Sequence, residues 1–110
     1  MYVFYIPEIK EYCQLEQFDA RCEREDEVLI MQSATYGRMR INRCVKINYG
    51  SLGCAADVLP YLDSKCSGRR ECSFPVAELH GQQPCPNDLT PFLEVAYTCM
   101  KGMLQSMFEY

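Results

Sequence analysis

Eight cysteines, at positions 13, 22, 44, 54, 66, 72, 85 and 99, have the most chemistry to offer in this chain of 110 residues. Thiols in such number serve metal ligation, nucleophilic catalysis or covalent cross-linking. Zinc ligation is disfavoured, because no Cys-x-x-Cys occurs and His80 is the single histidine. Cross-linking fits better. The count is even, and eight cysteines in the 87 residues from Cys13 to Cys99 is about 9%, within the range of a disulfide scaffold. Four disulfides would place the chain in an oxidising compartment, the secretory lumen or the cell exterior. Eight buried free thiols in a cytosolic protein is the weaker alternative. Spacing alone leaves on the order of 100 pairings open.

Thiols tied up in bridges leave little for catalysis. His80, next to Gly81, reads as a surface residue at a helix stop, and Ser67 and Ser73 have no adjacent base. Two neighbouring carboxylates could hydrolyse a glycosidic bond, but nothing in so short a chain suggests a deep cleft. The expectation is a protein that is not an enzyme. No calcium-loop signature occurs, so neither a metal nor another cofactor is implied.

Charge is segregated. Residues 1–30 carry a net −5, residues 31–70 a net +5 and residues 71–110 a net −4, within a total of −4. The basic centre could draw a sulfated or otherwise acidic glycan, or an acidic protein, with Arg38, Arg40, Arg43 and Lys46 as contacts. The plainer reading, favoured here, pairs the basic centre with the acidic flanks inside one domain. An acidic chain in an oxidising compartment is a poor partner for nucleic acid. No apolar run approaches the ~20 residues of a membrane helix, so a membrane is involved only if the chain belongs to a longer receptor. The first ten residues lack a basic leader and an apolar stretch, and read as a piece of a longer precursor.

These residues need elements to position them. One domain is expected over 13–99, with an extension at 1–12 and a tail at 100–110, where Met103, Leu104, Met107 and Phe108 could form a helical stripe. A strand is expected from Glu27 to Tyr36. From Phe92 to Cys99, Leu93, Val95, Tyr97 and Cys99 alternate with Glu94, Ala96 and Thr98, which predicts another. Cys72–Val76 is a short strand in which Pro75 suits an edge; 12–14 and 20–22 are weaker candidates. Asp57 can cap a helix with Pro60 in its first turn, Val58, Leu59, Leu62 and Cys66 on its buried side, and Gly68 as its stop. A shorter helix is expected over 76–80, ended by Gly81. The sum is a small disulfide-rich α+β domain with an antiparallel sheet. A domain of this size buries only roughly 60–65% of its unfolded surface, so bridges at ~2–4 kcal/mol each matter.

Two segments carry a family signal. One is Ser33-Ala34-Thr35-Tyr36-Gly37-Arg38 at a strand end, followed by Cys44. The other is Gln83-Pro84-Cys85-Pro86 leading into Phe92-Leu93-Glu94-Val95-Ala96-Tyr97-Thr98-Cys99. With the helix from Ala56 and the loop from Cys66 to Cys72, they resemble the SUEL-type lectin domain. This is the galactose- or rhamnose-binding lectin family, found also in latrophilin-like and EVA-1-like ectodomains. The resemblance spans Cys13 to Cys99. It implies a compact fold of about five antiparallel strands with two helices and long ordered loops, and the pairing Cys13–Cys44, Cys22–Cys99, Cys54–Cys85 and Cys66–Cys72.

The resemblance also implies a shallow sugar site. In the family a glutamate after the first cysteine binds hydroxyls, the motif tyrosine packs on the ring, and the loop after Pro-Cys ends in a lysine. Here Tyr36 matches, and reads equally well as a core tyrosine. Gly37 and Arg38 match as structural motif residues, with Arg38 expected to brace loops through a carboxylate. Three positions depart: Gln14 replaces the glutamate, Gln83 an aspartate, and Pro91 the lysine. Charged hydrogen bonds contribute about 1.5–3 kcal/mol each and neutral ones about 0.5–1.5, so free rhamnose or galactose is expected to bind weakly or not at all. Gln14, Tyr36, Gln83, Asn87, Asp88 and Thr90 remain the candidate carbohydrate-binding residues. The expected function is an extracellular carbohydrate-recognition module with an altered site, its partner a glycan or glycoprotein. The alternative is a protein–protein adhesion module that keeps the scaffold without the sugar. Asp88 supplying a carboxylate near Tyr36 would favour the first; a site blocked by Leu89 and Pro91 would favour the second.

Overall fold

The computed structural model describes residues 8–47 and 52–102. Six strands and two helices follow in the order β1 (Ile9–Cys13), β2 (Gln17–Arg21), β3 (Glu27–Gly37), β4 (Ala55–Asp57), α1 (Leu59–Cys66), β5 (Glu71–Pro75), a 3-10 helix (Val76–Gln82) and β6 (Phe92–Lys101). All pairing is antiparallel. One sheet has the order β1-β6-β3-β4, and β2 pairs with β5 in a second. The fold is the expected α+β class, with a short sixth strand, β4, that no sequence pattern announced. The sheet takes in residues on both sides of the 13–99 limits, from Ile9 to Lys101.

The long strand β3 illustrates how sequence becomes register. Its buried side chains fall first on odd numbers, Leu29 and Met31, and then on even ones, Ala34 and Tyr36. The register against β6 shifts between Met31 and Ser33. One extra residue there is a β-bulge, which flips the alternation and keeps both halves facing the core. β6 is central, between β1 and β3, so its alternation is blurred: Phe92, Leu93, Val95 and Ala96 are all buried.

Helix α1 lies on β3. Val58 occupies the N-cap position, so Asp57 is not the cap residue itself. Its carboxylate, one position earlier, accepts the Leu59 N–H at 2.9 Å. Pro60 sits in the first turn, where no donor is lost. Gly68, with φ +87°, turns the chain back after the helix, a left-handed conformation that a side chain would resist. From there the Gly68 N–H donates to Leu29 O at 2.8 Å and the Leu29 N–H to Arg69 O at 2.7 Å, so this loop covers the edge of β3 that β4 leaves free. The second helix is 3-10 and runs through Gly81 to Gln82, so Gly81 does not stop it.

Between the sheets lies the apolar core. Phe18 and Phe74 are directly opposed across β2 and β5, with ring centroids 5.1 Å apart, and Tyr12 meets Phe18 edge-on at 5.1 Å. Leu62 and Cys66 of α1, with Val58, Val76, Leu79, Leu93 and Val95, complete it. Each large side chain buried here stabilises the fold by about 1.5–3 kcal/mol. The bridges are Cys13–Cys44, Cys22–Cys99, Cys54–Cys85 and Cys66–Cys72, the pairing that the family resemblance implies. The helical stripe considered at 103–108 lies outside the described residues.

Candidate functional site

The chain from Tyr36 to Ile47 leaves the end of β3 and folds back over β1. Gly37 makes this possible at its start. A Cβ there would stand 2.1 Å from the Cys54 carbonyl oxygen and 2.8 Å from Ala55 Cα, so only glycine admits β4 at this point. Cys13–Cys44 then ties the segment to the end of β1. Asn42 shapes its turn, its Oδ1 accepting the N–H groups of Cys44 and Val45 at 2.8 and 2.9 Å.

Two arginines of this segment, Arg40 and Arg43, meet the acidic flanks. Arg40 holds Glu11 at 2.7 Å with one amino group and pairs with Glu94 through the other. Glu11 and Glu94 are directly opposite across β1 and β6, so Arg40 neutralises a like-charge pair that would otherwise oppose the sheet. Hydrogen bonding to Glu94 holds the Arg40 guanidinium above its ordinary pKa. Arg43 grips Glu16 through two amino groups, each at 2.8 Å, and also donates to the Glu11 carbonyl at 2.6 Å. The Arg43 hydrogen bond, followed by one from the Cys13 N–H, brings the Glu16 carboxyl down to about 2. Intramolecular pairing thus occupies two of the four cations considered for an acidic glycan. Lys46 is exposed and has no ion-pair partner among the described residues.

Arg38 is the third of these cations, and it is buried. It braces loops, but not through a carboxylate. Its two amino groups donate to the Thr90 and Ile47 carbonyls at 2.9 and 3.2 Å, joining the loop before β6 to the end of the 38–47 segment.

The six candidate sugar contacts fall into separate places. The Tyr36 hydroxyl donates to Gln14 Oε1 at 2.6 Å. The Tyr36 ring is fully buried, so no ring face is open to solvent, and burial raises its pKa against the opposing pull of Gln14. Gln83 is turned inward: its Nε2 donates to Leu89 O at 3.3 Å and its Oε1 accepts the Cys85 N–H at 3.1 Å. Asp88 and Thr90 line a cavity of about 320 Å3 with Arg38, Val45, Lys46, Ile47 and Leu89. Asn87 is exposed nearby in sequence but not part of that wall, and neither Gln14 nor Tyr36 lines it. Pro91 is buried and does not line this cavity. A second, wider cavity of about 550 Å3 runs along β1 beside Glu11, Arg40 and Glu94.

Sequence reasoning named Arg38 as a motif residue but not the carbonyls it holds, and it missed Asn42 altogether. The signal for Asn42 was available, because an asparagine two residues before a bridged cysteine favours an Asx turn. Among the described residues no group of three or more His, Cys, Asp or Glu could hold a metal ion, and no helix is long and apolar enough to cross a membrane.

Two comparisons bear on this geometry. The family model for the D-galactoside/L-rhamnose binding SUEL lectin domain matches residues 20–99. Protein eva-1 homolog C of Mus musculus is 29% identical over 96 residues, covering 83% of this chain and 22% of that protein. The chain therefore spans about a fifth of the length of the curated relative it matches.

Proposed function

Since the chain belongs to the SUEL lectin domain family, a family of carbohydrate-binding modules, we propose that it is an extracellular or secreted recognition module for a glycan or glycoprotein whose monosaccharide site has been altered. It acts by binding, with no catalytic step. The Gln14–Tyr36 pair carries this reading. The position that would present a carboxylate to vicinal hydroxyls presents a neutral amide instead, already engaged by the tyrosine hydroxyl. Four disulfides support an oxidising compartment.

The test is calorimetry with L-rhamnose and D-galactose, beside a glycan array. Free monosaccharides should bind at millimolar affinity or weaker. Gln14→Glu should strengthen that binding by about 5- to 10-fold, the difference between a neutral and a charge-assisted hydrogen bond. Micromolar binding of either sugar by the natural sequence would overturn the reading of an altered site.

A protein–protein adhesion role is the second reading. Leu15 is 96% exposed in the turn after β1, and Ile41 and Ile47 are exposed on the segment that Cys13–Cys44 ties to it. Apolar side chains on linked segments suit a protein partner. Retention of a cell-surface protein after enzymatic deglycosylation, with an empty glycan array, would favour this reading over the first.

A further inference from the structure

Arg38 is 4% exposed, and a guanidinium keeps its charge under all ordinary conditions. Two carbonyl dipoles accept from its amino groups, at Thr90 and Ile47. Among the described residues its Nε has no hydrogen-bond partner and no carboxylate forms an ion pair with it. A buried charge without a counter-ion is costly, because dipoles replace only part of the lost hydration. Every other arginine in the 38–47 segment has found a glutamate.

This charge is not sealed off. Arg38 forms part of the wall of the cavity between segments 44–47 and 88–90. Lys46 lines the same cavity, so among the described residues the wall holds two cations and a single carboxylate, Asp88. Ile47 and Leu89 add apolar surface, and Thr90 adds a hydroxyl. At about 320 Å3 the space lies at the small end of ligand pockets, suited to one ring rather than a chain.

We propose that this cavity binds the carboxylate of an acidic sugar, a uronic or sialic acid residue, with Lys46 as the direct ion-pair partner and Arg38 as the buried positive charge behind it. The inference rests on the reading of the chain as a glycan-binding module and names the ligand class and the place. The chemistry is complementary. A carboxylate gains a charge-assisted bond to Lys46 and offsets Arg38, while Ile47 and Leu89 cover the C–H face of the ring. Asp88, the like charge in the wall, weakens the site and so tunes it.

Amide NMR titration of the full chain with sodium glucuronate, glucose and sodium sulfate tests this. Glucuronate should give saturable shifts at 44–47 and 88–90, and glucose and sulfate should not. Lys46→Gln should weaken glucuronate by about 5- to 10-fold, and Asp88→Asn should strengthen it. Both residues are exposed, so both variants should fold. Absence of saturable shifts at these residues, an equal response to sulfate or glucose, or an unchanged affinity in Lys46→Gln would each overturn the proposal. A glycan array run alongside separates the two levels. Neutral glycans retained while glucuronate leaves the cavity unmoved would remove this inference and leave the broader reading standing.

Discussion

Removing the Cys22–Cys99 bridge should cost about twice as much stability as removing Cys66–Cys72. The bridges close loops of very different length, with sequence separations of 77 and 6. In the chain-entropy account, a cross-link restricts the unfolded chain by an amount that grows with the logarithm of the loop. For these separations the formula yields ~4.5 and ~2.2 kcal/mol. Packing losses largely cancel in the comparison, because Cys22 and Cys66 are both fully buried. The variants are Cys22→Ala with Cys99→Ala, and Cys66→Ala with Cys72→Ala. Urea unfolding of each against the natural sequence gives the free energies, and the two variants should differ by ~2 kcal/mol. The denaturant slope supplies a second readout. Loss of the long bridge should steepen it, because the unfolded chain then expands further. Equal stabilities, or a greater loss from the short bridge, would refute the reasoning and assign the stabilisation to the folded state.

Gly37→Ala should destabilise by about 2 kcal/mol or more, because its methyl group would meet the Cys54 carbonyl at 2.1 Å and force β4 away from β3; thermal unfolding measures it. Tyr36→Phe removes the bond to Gln14 Oε1 and should cost about 0.5–1.5 kcal/mol in chemical denaturation, leaving the half-buried Gln14 able to reach water. Glu16 should titrate near 2 by carboxyl NMR, well below its ordinary 4.5. Since the folded value is the lower one, the stability it confers is complete above about 4.5 and is lost as the pH falls towards 2. The side chain is 43% exposed, so the contribution stays under ~1 kcal/mol, and Glu16→Gln should flatten the acid limb by no more than that.

Much of the scaffold was legible because it is written in residue types. Cysteine count and spacing announced bridges, and the alternation at 92–99 and the apolar run at 28–31 announced the two longest strands. What stayed hidden depends on neighbours distant in the chain. Ala55–Asp57 has no strand pattern of its own; it pairs because Gly37 allows its backbone close. The bulge in β3 cannot be read locally, since Leu29 and Met31 set one alternation and Ala34 and Tyr36 another. Around the site the same divide holds. The pairing of basic centre with acidic flanks could be foreseen from charge. That Arg38 would be held by carbonyls could not, because every residue carries a carbonyl and none advertises it. Nor does the sequence distinguish a buried tyrosine face from an exposed one at Tyr36, where burial is decided by β6 and the core behind it.

The central place of β6 also sets a condition on biosynthesis. β1 and β3 are not paired with each other; each pairs with β6, a strand more than fifty residues downstream of either. A ribosome delivers β6 after the other five strands described. Until it emerges, β1 and β3 lack the strand that joins them, and Cys22 waits for Cys99 while Cys13 and Cys44 have already been made. Oxidation that outruns synthesis would trap wrong partners, so maturation should depend on an isomerase that can reopen early bridges once the full sheet is able to close.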